Sequence, residues 1–146
     1  MSAGHLLDVN VLIAAVWPTH EAHAKAQQWL ARHAGEGWAT CPLTESAFVR
    51  ILSNPAFSPR AITPADALAL LRANLEHPSH RFWGDDIPFW QAAAPFAGRL
   101  LGHQQVSDAY LLGLVLHKQG TFVTMDRAVV SLLPRGSGER NRVVMI

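Results

Sequence analysis

Apolar residues along this chain alternate between short runs typical of buried strands and longer stretches with helical spacing. The run His5 to Asp8 is predicted to form a first strand, and a helix is predicted to begin near Val11. Gly37 to Cys41 and Thr121 to Met125 are predicted to be further strands. Because strands and helices repeat with short links, the pattern indicates parallel βαβ units with right-handed crossovers, an α/β fold.

Two of the predicted helices have recognisable start and stop signals. Thr19 is predicted to cap a helix that ends near Gly35, a residue suited to a left-handed cap. Thr63 is predicted to cap another helix, with Pro64 at its first position and Leu68 among its buried residues. These signals place helices between the strands.

The C-terminal part of the chain carries the most apolar predicted helix. It runs from Val106 to about Lys118, and Gly120 is placed to end it. The stretch from Phe89 to Leu101 has a weaker helical pattern, and Arg142 to Ile146 is predicted to add an edge strand. No internal repeat and no linker to a second domain is apparent.

Four acidic residues lie where predicted strands end or the following helices begin. Asp8 and Asp126 directly follow strands, whereas Glu45 and Asp108 lie in the first turns of helices. Each alone has a common structural role, since carboxylates complement helix dipoles and cap helices. Because ligands bind at the carboxyl ends of parallel strands, we expect the four side chains to meet at one edge of the sheet.

A cluster of carboxylates needs a cation. Two like charges about 4 Å apart repel by about 4 kcal/mol at an effective dielectric constant of about 20. Ligation by oxygen alone suits Mg²⁺ or Mn²⁺ better than zinc, which prefers His or Cys. Such ions activate water and stabilise the attacking and leaving oxygens at phosphorus, so the sequence predicts phosphodiester hydrolysis.

Composition and charge narrow the class of protein. The chain has 146 residues, of which 49% are apolar and 16% charged, typical of one globular domain. Its apolar stretches are shorter than the roughly 18 residues of a membrane span, and no signal peptide is apparent, so we expect a soluble cytoplasmic protein. Cys41 is the only cysteine, which excludes an intramolecular disulfide and favours a buried, inert thiol.

The positive charge is carried mostly by arginine. Ten of the twelve basic residues are Arg, and setting aside the four candidate acids raises the net charge from +1 to +5. Arginine pairs with phosphate and stacks on bases, which favours a polyanionic partner, although genomic base composition is an equally good explanation.

The segments around the acids resemble the four acidic motifs of the PIN domain, and most closely those of VapC-type toxins from bacterial toxin–antitoxin pairs. The matching segments are LLDVNVLIA with Asp8, TESAFVR with Glu45, VSDAYLL with Asp108 and TMDRAV with Asp126. The resemblance implies a single PIN domain over residues 1–146, built as a three-layer α/β/α sandwich around a mostly parallel sheet. It also implies a metal-dependent ribonuclease, usually a homodimer, that a cognate antitoxin protein inhibits.

The resemblance also suggests roles for individual residues. All four acids are candidate catalytic and metal-binding residues; Asp8 and Asp108 are expected to be the principal ligands, completed by Glu45 and Asp126 directly or through water. The polar side chains expected to orient ligands or water are those of Asn10, Ser107 and Thr124.

Three further residues are candidates for RNA contact. Arg50 lies one turn beyond Glu45 and Arg127 lies next to Asp126, so either guanidinium is placed to hold a phosphate. Trp17, beside a proline break, is a candidate stacking platform for a base. Ordinary solvated charges and a core tryptophan are the alternatives.

Two rival functions remain open from the sequence. Asp8-Val9-Asn10-Val11 approaches the nucleophile loop of haloacid-dehalogenase-like hydrolases, with Asp8 as nucleophile. Position 10 is Asn rather than the second Asp of the phosphatases, and neither Lys25 nor Lys118 follows a strand as their phosphate-binding lysine should. The other rival is a non-catalytic PIN-like module that binds RNA or protein, although clustered acids would disfavour RNA at a purely binding surface.

Overall fold

The computed structural model describes residues 4–146 and has a parallel five-stranded sheet at its centre. The spatial order is β3-β2-β1-β4-β5, and each pair of neighbouring strands is parallel. The predicted parallel sheet is therefore confirmed. The strands are β1 (His5–Leu7), β2 (Trp38–Thr40), β3 (His80–Phe82), β4 (Thr121–Thr124) and β5 (Val143–Met145).

The strand order reverses at β1. The chain builds β2 and β3 on one side of this central strand and then crosses to build β4 and β5 on the other. A crevice forms beyond the carboxyl ends of the strands at such a switch point, because the following segments diverge to opposite sides. Asp8, the residue directly after β1, lies at that point.

Helices cover both faces of the sheet. Within residues 4–146 no helix is long and apolar enough to cross a membrane. The α-helices are α1 (Val9–Val16), α2 (His23–His33), α3 (Pro42–Leu52), α4 (Pro64–Leu75), α5 (Phe89–Ala93) and α6 (Val106–Lys118). Short 3-10 segments occupy Ala34–Glu36, Ala94–Arg99, His103–Gln105, Arg127–Leu132 and Gly138–Arg142.

Alternation along the central strands produces the three layers. Leu6 and Phe122 are fully buried in a cluster with residues of α5 and α6. The next residue of each strand, Leu7 or Val123, is fully buried in a second cluster with residues of α1, α2, α3 and α4. Successive strand residues point to opposite faces, so the two clusters lie on opposite sides of the sheet. The predicted α/β/α sandwich is confirmed.

Two glycines are required by close backbone approach. A Cβ at Gly113 of α6 would lie 2.0 Å from the carbonyl oxygen of Ala92 in α5, so these helices contact through backbone. A Cβ at Gly120 would lie 2.6 Å from the Trp83 ring and 2.7 Å from the Gly4 carbonyl oxygen. Both positions therefore exclude a side chain.

The N-terminal cap of α4 is the one that the sequence predicted, whereas the buried face of the helix is narrower than predicted. The Thr63 hydroxyl accepts a 3.1 Å hydrogen bond from the Asp66 amide, and Pro64 is the first helical residue. Leu68 is 59% exposed, so the prediction that it is buried was wrong. The buried residues of α4 are Ala67 and Leu71, since the helix packs through a single stripe against α3.

One predicted boundary and one predicted cap were wrong, whereas the predicted end of the last helix is confirmed. The second helix begins at His23 rather than after Thr19, because residues 18–22 form turns before it. The left-handed glycine after that helix is Gly37, with φ +83°, and not Gly35. The helix α6 spans Val106–Lys118 as predicted, and Gln119, with φ +58°, takes a left-handed conformation between its last residue and Gly120.

Candidate active site

Asp8 is a buried carboxylate fixed at the switch point of the sheet. Its side chain caps α1, with Oδ1 accepting a 2.7 Å hydrogen bond from the Val9 amide. Its Oδ2 accepts a 2.6 Å hydrogen bond from the Thr124 hydroxyl at the end of β4. Burial raises the pKa of Asp8 above its ordinary value, against the opposing effect of these two hydrogen bonds, and the charge of Asp126 raises it further.

Thr124 connects Asp8 to Asp126. Its hydroxyl oxygen accepts a 3.0 Å hydrogen bond from the Asp126 amide while donating to Asp8. The exposed Asp126 carboxylate in turn accepts a 2.9 Å hydrogen bond from the Ala128 amide, which caps the following 3-10 segment. The two acids that follow β1 and β4 are therefore held by one shared threonine.

Asn10 also connects the segments that follow β1 and β4. Its side-chain oxygen accepts a 3.4 Å hydrogen bond from the Met125 amide, which joins the first turn of α1 to the end of β4. Ser107 lies exposed in the first turn of α6, beside Asp108. Of the expected polar companions, Asn10 and Thr124 thus support the crevice through hydrogen bonds, whereas Ser107 is exposed next to Asp108 in sequence.

Asp108 completes a group of three interacting carboxylates. It is half-buried in the first turn of α6, and its pKa is raised to about 7 by burial, then by the charges of Asp8 and Asp126. A raised pKa means that the negative form is poorly stabilised where it lies. Asp108 and Asp126 line one cleft with Ala128 and the segment 101–105. The sheet edge therefore holds three mutually interacting carboxyl groups, of which Asp108 and Asp126 face an open cleft.

Glu45 lies in a separate hydrogen-bond network, at the end of the neighbouring strand. Its Oε2 accepts a 2.8 Å hydrogen bond from the hydroxyl of Thr40, the last residue of β2. Nε2 of His80 lies 2.7 Å from the same hydroxyl oxygen. Because a carboxylate only accepts, the Thr40 hydroxyl donates its proton to Glu45. Burial lowers the pKa of His80, which favours the neutral ring.

The structure thus groups three of the four predicted acids by their mutual charge and places Glu45 beside them on the β2 side. Among residues 4–146, no three of these acids have carboxylate oxygens within 4.8 Å of one another. Glu45 lines a different cleft, which runs between α3 and α4 and also contains Arg50. Binding of one ion by several of the acids therefore requires changes of side-chain rotamer.

The acidic group fits Mg²⁺ or Mn²⁺ by its chemistry. The donors of Asp8, Asp108 and Asp126 are oxygens, and each carboxylate oxygen offers two lone pairs, so the hydrogen bonds to Asp8 leave acceptor capacity unused. Hard divalent cations prefer such ligands. A cation would also offset the repulsion from Asp8 and Asp126, which adds to burial in raising the pKa of Asp108.

The three candidate RNA-binding residues have different surroundings. Arg50 and Arg127 are exposed, at the end of α3 and directly after Asp126. Trp17 is half-buried at the end of α1 and packs against the core on that face of the sheet. The arginines are thus available to solvent, whereas Trp17 has only part of its ring free.

Thr40 and His80 are site residues that the sequence interpretation missed. Thr40 does have a sequence signal, because it is the last residue of β2 as Thr124 is the last residue of β4, and each bonds to an acid of the site. His80 has none, since its contact with Thr40 depends on the pairing of β2 with β3. Cys41 is buried as expected, and burial raises the pKa of its thiol.

Comparisons with known proteins agree with this architecture. A family model described as PIN domain matches residues 5–132. Ribonuclease VapC39 of Mycobacterium tuberculosis (strain ATCC 25618 / H37Rv) is 41% identical over 131 residues, which are 90% of this chain and 94% of that protein. Ribonuclease VapC38 of the same strain is 42% identical over 127 residues, covering 87% of this chain and 88% of the relative.

A solved structure has the same fold at low sequence identity. The crystal structure of VapBC2 from Rickettsia felis bound to a DNA fragment from their promoter contains a chain that matches this one with a TM-score of 0.63. The two are 10% identical, and the match covers 98% of this chain and 97% of the other.

Proposed function

The chain belongs to the PIN domain family, and from this premise we propose that it is a VapC-type ribonuclease toxin that hydrolyses RNA phosphodiester bonds with Mg²⁺, or Mn²⁺, as cofactor. The observation that carries the proposal is the group formed by Asp8, Asp108 and Asp126, in which burial and then the charges of the other two acids raise the pKa of Asp108 to about 7. Membership of this family rules out the haloacid-dehalogenase interpretation.

The roles of the acids follow from how each is held. Asp8 and Asp108 are the proposed principal ligands, because one is fixed by two hydrogen bonds and the other faces the cleft next to it. Asp126 completes the set on the exposed side, and Glu45 contributes from the first turn of α3, directly or through a water. When bound, the cation supplies charge stabilisation at the phosphate and lowers the pKa of a water.

The remaining side chains orient these acids and the substrate. The Thr124 hydroxyl fixes the rotamer of Asp8, and the Asn10 amide oxygen holds the segment that carries Asp126. Arg127 and Arg50 are exposed near these acids, where a guanidinium can pair with the phosphates that flank the cut. The segment 101–105 forms the wall of the cleft along which an RNA strand would lie.

The proposed partners are a cognate antitoxin and a second copy of this chain. The antitoxin follows from membership among VapC proteins and from the fold shared with a chain of VapBC2. The homodimer is supported by exposed apolar side chains, among them Leu101 at 91% and Trp90 at 72%. Light scattering on the purified chain tests the dimer. The cytoplasm, where RNA is available, is the proposed location.

The deciding experiment compares the wild-type chain with Asp8→Asn. Both proteins are expressed, purified and incubated with total RNA in Mg²⁺ or in EDTA, and the new RNA ends are sequenced. We expect defined cuts with the wild type in Mg²⁺ alone, and none with Asp8→Asn. The matched control is Asp66→Asn, the same change at an exposed site on α4.

The outcomes separate the candidate functions. Cuts by Asp8→Asn at the wild-type rate would refute the assigned site. RNA binding by the wild type without cleavage, under conditions where its expression still arrests growth, would favour the non-catalytic module. Circular dichroism of both variants ensures that any loss of cleavage reflects the site and not unfolding.

A further inference from the structure

Two histidines and a glutamate converge at the end of the sheet opposite the acids. His5 is the first residue of β1, His33 ends α2, and Glu36 lies in the 3-10 segment that follows. One ligand atom from each lies within 4.8 Å of the other two. Both imidazoles contact the same carboxylate oxygen, His33 through Nδ1 at 2.5 Å and His5 through Nε2 at 3.3 Å. No other such group of three occurs among residues 4–146.

The His5 ring is held in the manner of a metal ligand. Its Nδ1 forms a hydrogen bond with the Thr121 hydroxyl at the start of β4, while Nε2 faces Glu36. Histidines that bind metals almost always donate their second nitrogen to such a partner, which fixes the tautomer and the ring orientation. With Nδ1 as donor to Thr121, the lone pair of Nε2 points toward the two other ligands.

An aromatic side chain supports both rings. The Trp29 indole stacks on the His33 ring, with 4.3 Å between ring centroids and 24° between planes. Its ring also meets the His5 ring edge-on, at 5.0 Å and 85°. The Glu36 side chain is 56% exposed and supplies the carboxylate of the group. The group thus offers two oriented imidazoles and one negative charge.

The spacing is close to that of a tetrahedral zinc site. Two ligands about 2.05 Å from Zn²⁺ at a tetrahedral angle lie about 3.3 Å apart. The separation of His5 Nε2 from Glu36 Oε2 is 3.3 Å. The contact of His33 Nδ1 with the same oxygen is shorter, but it can lengthen because the His33 and Glu36 side chains are both partly exposed. Two His and one Glu leave a fourth position for water, as in known zinc sites.

We propose that His5, His33 and Glu36 bind one Zn²⁺ ion at a site distinct from the acidic cleft. At about 3.3 Å per strand residue, the start of β1 lies about 10 Å from Asp8, so the two sites bind separately. A bound ion links the α2–β2 connection to the central strand, and therefore stabilises the fold without participating in RNA cleavage.

Calorimetric titration of Zn²⁺ into the tag-free, EDTA-treated protein tests this proposal, with excess Mg²⁺ present to occupy the acidic cleft. We expect one ion per chain. Loss of a residue that hydrogen-bonds to a metal ligand typically weakens metal binding by about 10–100-fold. Loss of a ligand itself, in His33→Gln or Glu36→Gln, should therefore weaken Zn²⁺ binding by at least about 100-fold. Both residues are partly exposed, so the variants are expected to fold.

Matched controls separate the site from general histidine binding. His117→Gln, at an exposed histidine on α6, should retain the wild-type affinity for Zn²⁺. Thr121→Val should weaken binding, and Thr121→Ser should restore it, if the hydroxyl positions His5. Zn²⁺ should raise the melting temperature of the wild type and not of His33→Gln.

Two results would overturn the proposal. One is an unchanged Zn²⁺ affinity in both His33→Gln and Glu36→Gln. The other is a loss of Zn²⁺ binding in Asp108→Asn while His33→Gln still binds, which would assign the ion to the acidic cleft. RNA cleavage by His33→Gln in Mg²⁺ should equal that of the wild type, so the zinc site and the proposed nuclease site can fail independently.

Discussion

The hydroxyl of Thr124 donates a 2.6 Å hydrogen bond to Oδ2 of Asp8, and so joins two buried residues that are 116 positions apart in the chain. The same oxygen accepts from the Asp126 amide at 3.0 Å. One side chain therefore uses its donor and an acceptor position to fix two of the proposed ligands. Its removal should affect both the stability of the fold and the proposed chemistry.

Thr124→Val should destabilise the protein and impair RNA cleavage. Valine has a similar shape but no hydroxyl, so a buried Asp8 oxygen and the Asp126 amide lose a partner, at a cost of about 1–3 kcal/mol. Metal affinity should fall by about 10–100-fold. Urea unfolding and cleavage over a Mg²⁺ series measure the two effects. Thr124→Ser keeps the hydroxyl and serves as control; equal behaviour of the Val and Ser variants would contradict the role.

The metal-free protein should lose stability as pH rises from about 4 to 7. The pKa of Asp108 is raised in the folded state to about 7 from an ordinary value of 3.8, so the folded chain retains a proton that the unfolded chain releases in this range. The free energy of unfolding that protonated Asp108 allows is therefore fully present below about pH 4 and is lost above about pH 7. Urea unfolding in EDTA across this range, compared with Asp108→Asn, isolates the effect. An identical dependence of the free energy of unfolding on pH in Asp108→Asn would contradict the prediction.

Mg²⁺ should stabilise the wild type by relieving repulsion among the acids. A ligand at about 100 times its Kd contributes about 2.7 kcal/mol, which corresponds to a rise of about 5–10 °C in melting temperature for a chain of this size. Asp108→Asn should lose most of this shift, whereas the exposed surface variant Asp66→Asn should keep it. Thermal scans over a Mg²⁺ series measure these shifts in melting temperature. A shift of the same size in all three proteins would exclude the acidic cleft as the Mg²⁺ site.

Gly113→Ala should destabilise the contact of α5 with α6. The added Cβ would lie 2.0 Å from the Ala92 carbonyl oxygen, a backbone atom that cannot rotate away. Forced overpacking of this kind typically costs about 1–3 kcal/mol or more. The control is Gly98→Ala, where no atom lies within 4 Å of the new methyl group. Chemical unfolding should show a loss at position 113 alone.

The sheet and the placement of the acids could be predicted because they depend on local pattern and on one geometric rule. Asp8 and Asp126 directly follow buried strands, and parallel strands end at the same edge, so their proximity required no knowledge of side-chain contacts. The charges of these two acids also act on Asp108, as the rule implied. The polar partners Asn10 and Thr124 were instead predicted from the resemblance to the PIN domain.

Features that depend on tertiary contacts could not be predicted. Gln119 has a left-handed conformation directly after α6, and Gly120, the next residue, packs against the Trp83 ring. Leu68 has helical spacing and is nonetheless exposed, because α4 buries only a narrow stripe. The contact of His80 with Thr40 and that of His5 with His33 join residues whose spacing follows no period.

Glu45 should differ from Asp108 in its effect on metal binding. Its carboxylate is held by Thr40, and the charges that raise the pKa of Asp108 are those of Asp8 and Asp126. We therefore expect Glu45→Gln to reduce RNA cleavage while most of the Mg²⁺-induced shift in melting temperature remains. This combination would assign Glu45 to the orientation of water or substrate.

Thermal scans and cleavage assays on Glu45→Gln, Asp108→Asn and Thr40→Val distinguish the possibilities. Thr40→Val removes the donor to Glu45 and leaves the three other acids unchanged, so it should resemble Glu45→Gln in both assays. Thr40→Ser should behave as wild type, because the hydroxyl alone makes the hydrogen bond. If Glu45→Gln instead abolishes the Mg²⁺ shift as Asp108→Asn does, Glu45 binds the ion directly, and its side chain must leave Thr40 to reach the other acids.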